Sequence, residues 1–208
     1  MSLGSCCNDI DACSIDKLRD QQRGTLRIVL GINAVMFLII AVAALYGRSS
    51  ALLSDSLDNL GDALTYGLSL YAVSRSDTTK AKVALFKGGL IFLAACGVAV
   101  QIVSKLIHPS VPSFEVMGGF SLMSLAANSL CLFLLWRHRG EDVNMSSVWE
   151  CSRNDIATNL SVFVTAGAVW LTASGWPDTV VASCLVLLLM RSAIRVLLSA
   201  KAAIYRGA

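Results

Sequence analysis

Long stretches of this sequence carry no charged residue. Twenty consecutive uncharged residues run from Ile28 to Gly47, enough for a helix that rises about 1.5 Å per residue to cross a hydrocarbon layer of about 30 Å. Uncharged stretches of 21, 22 and 17 residues lie between Glu115 and Arg137, between Asp155 and Asp178, and between Lys87 and Lys105. These lengths predict helices that span a membrane.

Two further segments bring the predicted spans to six. Pro177 is placed to begin a helix at its first turn, ahead of the Leu-rich stretch CLVLLLM. The segment from about residue 49 to 74 is the least apolar because it contains Asp55, Asp58 and Asp62. Omitting it would leave the apolar stretch LTYGLSLYAV unexplained, so we count it as a span. The predicted spans are residues 25–47, 49–74, 83–106, 115–137, 147–173 and 177–200.

The basic residues predict the orientation of these spans. Six spans place both termini on one side of the membrane, and 14 of the 17 lysines and arginines fall on that side. Because lysine and arginine are enriched in cytoplasmic loops, we expect both termini in the cytoplasm. The bases on this side are Lys17, Arg19, Arg23, Arg27, Arg75, Lys80, Lys82, Lys87, Arg137, Arg139, Arg191, Arg195, Lys201 and Arg206.

The composition agrees with a membrane protein. Hydrophobic residues make up 55% of the chain and charged residues only 15%, against about a quarter in soluble proteins. Intrinsic disorder and a nucleic-acid binder are poorly supported by these values. The predicted fold is an all-α integral membrane protein with one domain over residues 25–201. A cytoplasmic cysteine-containing tail of residues 1–24 precedes the domain, and a short cytoplasmic tail of residues 202–208 follows it.

Ionisable residues inside the predicted spans are the best candidates for function, because each costs about 2.5–3.5 kcal/mol on insertion scales. Asp58 and Asp62 are four positions apart, so they lie on one face of the second helix. Cys151 and Asp155 repeat this spacing on the fifth helix. Two such pairs can form a four-ligand site for a borderline-soft divalent ion such as Zn²⁺. A polar contact between helices or a water-filled crevice is the alternative for the acids, and simple packing is the alternative for Cys151.

Neighbouring residues extend both faces. Asp55 lies three residues before Asp58, where it either lines an outward exit or hydrogen-bonds within the helix pair. Asn159 continues the stripe of the fifth helix by one turn.

A cysteine cluster of the form CCxxxxxC lies in the N-terminal tail, where thiols stay reduced. Cys6, Cys7 and Cys13 form this cluster. It is a candidate for capturing a soft metal ion, and a disordered tail without a metal is the alternative.

At the paired acids the sequence resembles the cation diffusion facilitator family of divalent-metal exporters. The family's second-helix pattern is roughly S-x-A-L-L-A-D-A-x-(H/D)-x-x-x-D. The stretch SSALLSDSLDNLGD fits that pattern, with Asp58 and Asp62 at the ligand positions. The fifth-helix pattern is roughly H-x-x-x-D-x-x-x-(S/N), in which Asp155 and Asn159 match and Cys151 stands where His or Asp is usual. Asn128 matches an Asn common in the family's fourth helix.

The resemblance extends from about residue 25 to 200 and implies a function. It implies a multi-pass homodimer that exchanges a divalent cation for protons by alternating access, expected in the bacterial inner membrane. Metal ions and protons are then its partners, the metal is the substrate, and no prosthetic group is expected. No nucleic acid is expected as a partner.

The sequence departs from the family in three ways. Many members of the family have a cytoplasmic C-terminal domain with a ferredoxin-like fold, and we expect none in this chain. The His-rich loop of many zinc-specific members is also absent, since only His138 lies between Arg137 and Trp149. Cys151 replaces the usual imidazole or carboxylate, which favours zinc or cadmium over manganese, with cobalt or iron as alternatives.

Other functions remain as alternatives from the sequence. A membrane protein that binds metal as a sensor or buffer, without transport, is one. A small proton-coupled exporter of organic cations is another, although aromatic residues are only 7% of the chain and none precedes Tyr66 in the second span. The sequence contains no nucleophile–base arrangement or phosphate-binding loop, so we predict a secondary transporter and not an enzyme.

Overall fold

The computed structural model of the chain describes the backbone of residues 5–72, 77–136 and 143–206, and the side chains of residues 23–68, 70, 82, 84–136, 149 and 152–202. Within these ranges there is no strand, and six α-helices account for nearly all of the backbone. They are α1 (Ser5–Tyr46), α2 (Ser50–Ala72), α3 (Asp77–Ile107), α4 (Phe114–Trp136), α5 (Val143–Thr172) and α6 (Trp176–Arg206). The predicted all-α membrane architecture is confirmed.

The two ends of the helix bundle differ. The three short connections between α1 and α2, α3 and α4, and α5 and α6 lie together, at what we call the loop end. There Ser113 N donates to Gly47 O at 3.0 Å, and a Cβ on Gly175 would lie 2.3 Å from Ser110 O. At the opposite end α1, α3 and α5 begin and α2, α4 and α6 finish. Among the side chains that the structure describes, most lysines and arginines lie at this second end, which we call the basic end.

Several helices extend beyond the predicted spans at the basic end. α1 begins at Ser5 and not at residue 25, α3 begins at Asp77 and not at 83, and α6 ends at Arg206 and not at 200. The apolar part of α1 begins only at Arg23. The additional turns of α1 and α3 are rich in polar residues, and a helix propagates through polar residues once it is nucleated. A hydropathy pattern therefore misses them.

The helices expose apolar side chains and bury polar ones. On α4, Ser121, Ser124 and Asn128 are buried, whereas Leu122 and Phe133 are 52% and 76% exposed. Water around the bundle would favour the opposite arrangement. Lipid tails around the bundle explain the observed arrangement, because apolar side chains that face lipid need no protein partner.

α2 is the central helix. It packs against α1, α3, α5 and α6, and none of its described side chains is exposed. The other five helices are long and apolar enough to cross a membrane. Any stretch of α2 that is long enough to cross a membrane contains Asp55, Asp58 and Asp62, and these three acids lower its mean hydropathy. The surrounding helices shield these acids from lipid, which explains how so polar a helix lies within the bundle.

A buried carboxylate holds the start of α2 at the loop end. Asp178, in the first turn of α6, accepts hydrogen bonds from Ser50 N and Ala51 N at 3.0 Å each, and from Ser49 Oγ at 2.6 Å. Backbone N–H groups at a helix N-terminus lack partners within the helix, and the helix dipole favours an anion there. Lys105 Nζ, at the end of α3, lies 2.7 Å from the same carboxylate. Asp178 thus joins α2, α3 and α6.

We expect Asp178→Ala to lower the free energy of unfolding by about 3 kcal/mol, because it leaves the Lys105 ammonium group buried without its carboxylate. Glu115→Ala is a matched control, since Glu115 is an exposed acid in the first turn of α4. The control should change stability by less than about 0.5 kcal/mol. Thermal unfolding of the purified variants in detergent measures both, and equal melting temperatures would contradict the role of Asp178.

Candidate metal centre

Helices α2 and α5 bring Asp62 and Asp155 together. Both side chains are buried, and the two carboxyl groups are close enough to interact electrostatically. Two ionised carboxylates 4 Å apart repel each other by about 4 kcal/mol at an effective dielectric constant of 20. The pair therefore needs a proton or a cation between its oxygens.

Two more acids follow on the same face of α2 towards the loop end. Asp58 lies one turn from Asp62, within electrostatic reach of Asp155. Asp55 is only 1% exposed, and neither of its carboxylate oxygens has a hydrogen-bond partner in the described part of the chain. The acids of α2 thus form a column, defined as Asp55, Asp58 and Asp62, that runs from the Asp62–Asp155 pair to the loop end.

Polar residues of α4 and α5 lie beside this column. Ser124 Oγ, on α4, donates to Asn159 Oδ1, on α5, at 3.0 Å. The same serine lies near Asp55, but its hydroxyl hydrogen is donated to Asn159, which leaves the Asp55 carboxylate without a hydrogen bond. Asn128, one turn further along α4, is also buried. All three residues predicted as accessory (Asp55, Asn128 and Asn159) are therefore buried, and Asn159 is tied to α4.

Tyr66 and Ser152 lie beside the acidic pair on the side of the basic end. The Tyr66 hydroxyl donates to Asp62 Oδ2 and lies 3.4 Å from Ser152 Oγ. The sequence interpretation missed both residues. A signal for Tyr66 was present, because it continues the four-residue spacing of Asp58 and Asp62 and so shares their face.

Two basic residues on the helices around this site, Lys87 and Arg153, make different kinds of contact. Lys87, on α3, donates to Thr65 Oγ1 on α2, and its charge acts on Asp62. The sequence suggested only a topological role for Lys87, and the structure adds a positive charge near the acidic pair. The guanidinium group of Arg153 lies 5.5 Å from the ring centroid of Trp149, which is a cation–π contact.

The fourth predicted ligand, Cys151, lies on α5 one turn before Asp155, but its side chain is outside the described part of the chain. The side chains of Cys6, Cys7 and Cys13 are also outside it. Among the side chains that the structure describes, no three His, Cys, Asp or Glu residues are grouped as a metal site. The described arrangement brings together Asp62 and Asp155, with Asp58 one turn away, and the four-ligand set stays a prediction.

A model of the cation efflux transmembrane domain matches residues 26–204, which is most of the chain. The chain belongs to the cation efflux family. This is the cation diffusion facilitator family that the patterns around Asp58, Asp62 and Asp155 resemble, so the resemblance is confirmed. The matched residues include all of α2 to α5 and both members of the acidic pair.

This cation efflux protein is similar to an uncharacterized transporter of Synechocystis sp.. The two are 29% identical over an alignment of 165 positions, which covers 72% of this chain and 53% of the relative. The chain thus spans about half the length of that relative. Family membership and the apolar helices together show a multi-pass membrane protein of a cation efflux family.

Proposed function

We propose that this protein exports a divalent metal cation, zinc or cadmium, in exchange for protons. The observation that carries the proposal is the buried Asp62–Asp155 pair at the contact between α2 and α5. A divalent cation between the two carboxylates replaces their repulsion by attraction to a shared charge. Asp58 and Cys151, one turn away along each helix, complete the proposed set of four ligands, the number that zinc prefers.

Proton exchange follows from the chemistry of these ligands. Carboxylates and thiolates bind metal only when they are deprotonated, so metal ions and protons compete for the same four side chains. We propose that the basic end faces the cytoplasm. Metal then loads from the neutral cytoplasm and leaves on the side where proton activity is higher. Asp58 and Asp55, the other two acids of the column, provide oxygen atoms between the acidic pair and the loop end.

In this proposal the preference for one metal over another comes from Cys151. Sulfur ligands favour zinc and cadmium, whereas an all-oxygen site suits magnesium, calcium or manganese. The soft ligand therefore supports a thiophilic substrate even though the three acids alone do not.

Uptake into reconstituted vesicles tests the proposal. The purified protein is reconstituted into liposomes with an acidic lumen, and zinc or cadmium is added outside at neutral pH. We expect saturable uptake that stops when an ionophore collapses the pH gradient, with protein-free liposomes as the baseline. Uptake that is unaffected by the ionophore would contradict proton exchange. Saturable binding without uptake would indicate a metal buffer instead.

Replacing the cysteine should change the choice of metal. We expect Cys151→Ser to reduce cadmium uptake at least about tenfold more than cobalt uptake, because it exchanges a soft sulfur for a hard oxygen. Cys184→Ser is a matched control, since Cys184 is an exposed cysteine on α6. Initial uptake rates for the two ions measure the effect. Equal losses for cadmium and cobalt would show that the sulfur is not a ligand.

A further inference from the structure

A packed layer separates the acidic pair from the basic end of the bundle. Tyr66 belongs to it and is fully buried. Because α2 runs towards the basic end, Tyr66 lies about 6 Å closer to that end than Asp62. An ion that approaches Asp62 from the basic end between α1, α2 and α4 has to pass this layer. Its buried members, from α1, α2 and α4, are Leu26, Val29, Tyr66, Cys131 and Leu135.

The helices approach each other closely at this layer. Gly67 follows Tyr66, and a Cβ on Gly67 would lie 3.1 Å from Leu30 Cδ1 of α1. Leu30, Leu70 and Trp149 pack around the buried members. The layer therefore has little spare room, and the ring of Tyr66 is its largest fully buried side chain.

The hydroxyl of Tyr66 provides the polar contact between this layer and the acidic pair. It donates to Asp62 Oδ2 and lies 3.4 Å from Ser152 Oγ. Ser152 is next to Cys151 in the sequence, so the hydroxyl lies where α5 passes the proposed sulfur ligand. A metal ion bound to Asp62 Oδ2 from this side has to displace the hydroxyl.

We infer that Tyr66 is the gate between the basic end and the proposed divalent-cation site, with its ring closing the passage and its hydroxyl holding Asp62 until a metal ion replaces it. The inference rests on the proposed function. It makes Tyr66 a positioning residue, since it acts on the metal through Asp62. The two parts of the tyrosine side chain can be tested by comparison, because Tyr66→Phe removes only the hydroxyl, whereas Tyr66→Ala removes the ring as well.

Tyr66→Phe removes the hydroxyl and keeps the ring. We expect a KM for zinc uptake about five- to tenfold lower than in the parent, because metal no longer competes with a hydrogen bond to a charged oxygen. Equilibrium zinc binding should tighten by the same factor. Tyr46→Phe is the matched control, since Tyr46 is 84% exposed. A purely structural role for Tyr66 predicts a lower maximal rate at an unchanged KM.

Tyr66→Ala removes the ring and opens the layer. Cys131 is a buried thiol of the same layer, so its alkylation by N-ethylmaleimide reports access. Peptide mass spectrometry follows Cys131 separately from the other cysteines. We expect alkylation of Cys131 at least about tenfold faster in Tyr66→Ala than in the parent, and unchanged in Tyr66→Phe. Leu135→Ala, which also leaves a cavity in the layer, should give a smaller increase because the tyrosine ring still closes the passage.

The outcomes separate the gate from the proposed function. If the parent protein takes up zinc and both Tyr66 variants match it in KM, zinc affinity and Cys131 alkylation, the gate is wrong and the function stands. If the parent takes up no zinc, the proposed function fails, while zinc affinity and alkylation still decide on the gate. Faster alkylation in Leu135→Ala than in Tyr66→Ala would show general loosening of the layer and would overturn the gate.

Discussion

Asp155→Asn is expected to lower the rate of zinc uptake by more than about 100-fold. Residues that only support a metal ligand already change affinity by about 10–100-fold when they are replaced, and Asp155 is proposed to bind the ion itself. Asparagine has nearly the same shape as aspartate, and its amide can donate a hydrogen bond to Asp62. It removes one of two buried carboxyl groups that repel each other when both are ionised, so the variant should fold at least as well as the parent. Loss of transport in a stable protein would therefore report loss of a ligand.

Initial rates of zinc uptake and equilibrium zinc binding measure this effect on the same preparation. Asp62→Asn should give a similar loss, and the double variant should lose little more than either single variant, because the two carboxylates act as a unit. Glu115→Gln provides a control with the same change of chemistry at an exposed position outside the site. Uptake by Asp155→Asn within about twofold of the parent would remove Asp155 from the proposed ligand set.

The fold of this protein could be predicted because lipid imposes a simple requirement. A helix must satisfy its own backbone hydrogen bonds and must be long and apolar enough to cross the membrane. Five of the described helices are long and apolar enough to cross a membrane. α2 is not, because of its three acids, and it was included only because LTYGLSLYAV was otherwise unexplained. The structure gives the physical reason, since other helices surround α2.

The candidate site could be predicted only in part. Four-residue spacing shows that Asp58 and Asp62 share a face, and a single sequence contains nothing that says which helix packs against that face. The pairing of Asp62 with Asp155 depends on that packing, as do the contacts of Tyr66 with Ser152. Asp178 was missed for the same reason. It marked only the end of an uncharged stretch, whereas its bonds to Ser50 and Ala51 come from the N-terminus of a different helix.

For Asp55 we propose the first of the two roles considered above, a place on the outward exit of the ion. A residue that hydrogen-bonds within the helix pair would have at least one partner for its carboxylate, and Asp55 has none in the described part of the chain. Buried polar atoms that lack partners are rare because they lower stability. Each one calls for an explanation, and a functional role is one such explanation. Asp55 lies on the face of Asp58 and Asp62, one turn nearer the loop end, which fits a role on the outward path of the ion.

Asp55→Asn is therefore expected to slow zinc uptake about tenfold and at the same time to raise the melting temperature. Uptake slows because the outward path loses a negative charge. The melting temperature rises because a buried carboxylate without a partner is replaced by a neutral amide that is easier to bury, a trade between activity and stability that is common at functional sites.

Ser54→Ala is the control for Asp55→Asn, since Ser54 is buried on the same helix and its hydroxyl bonds only to Ser50 O, one turn earlier, among the described residues. It should leave uptake unchanged. Vesicle uptake and thermal unfolding of the same two variants measure both quantities. A lower melting temperature in Asp55→Asn would show that the carboxylate stabilises the helix pair. An unchanged uptake rate would remove Asp55 from the path of the ion.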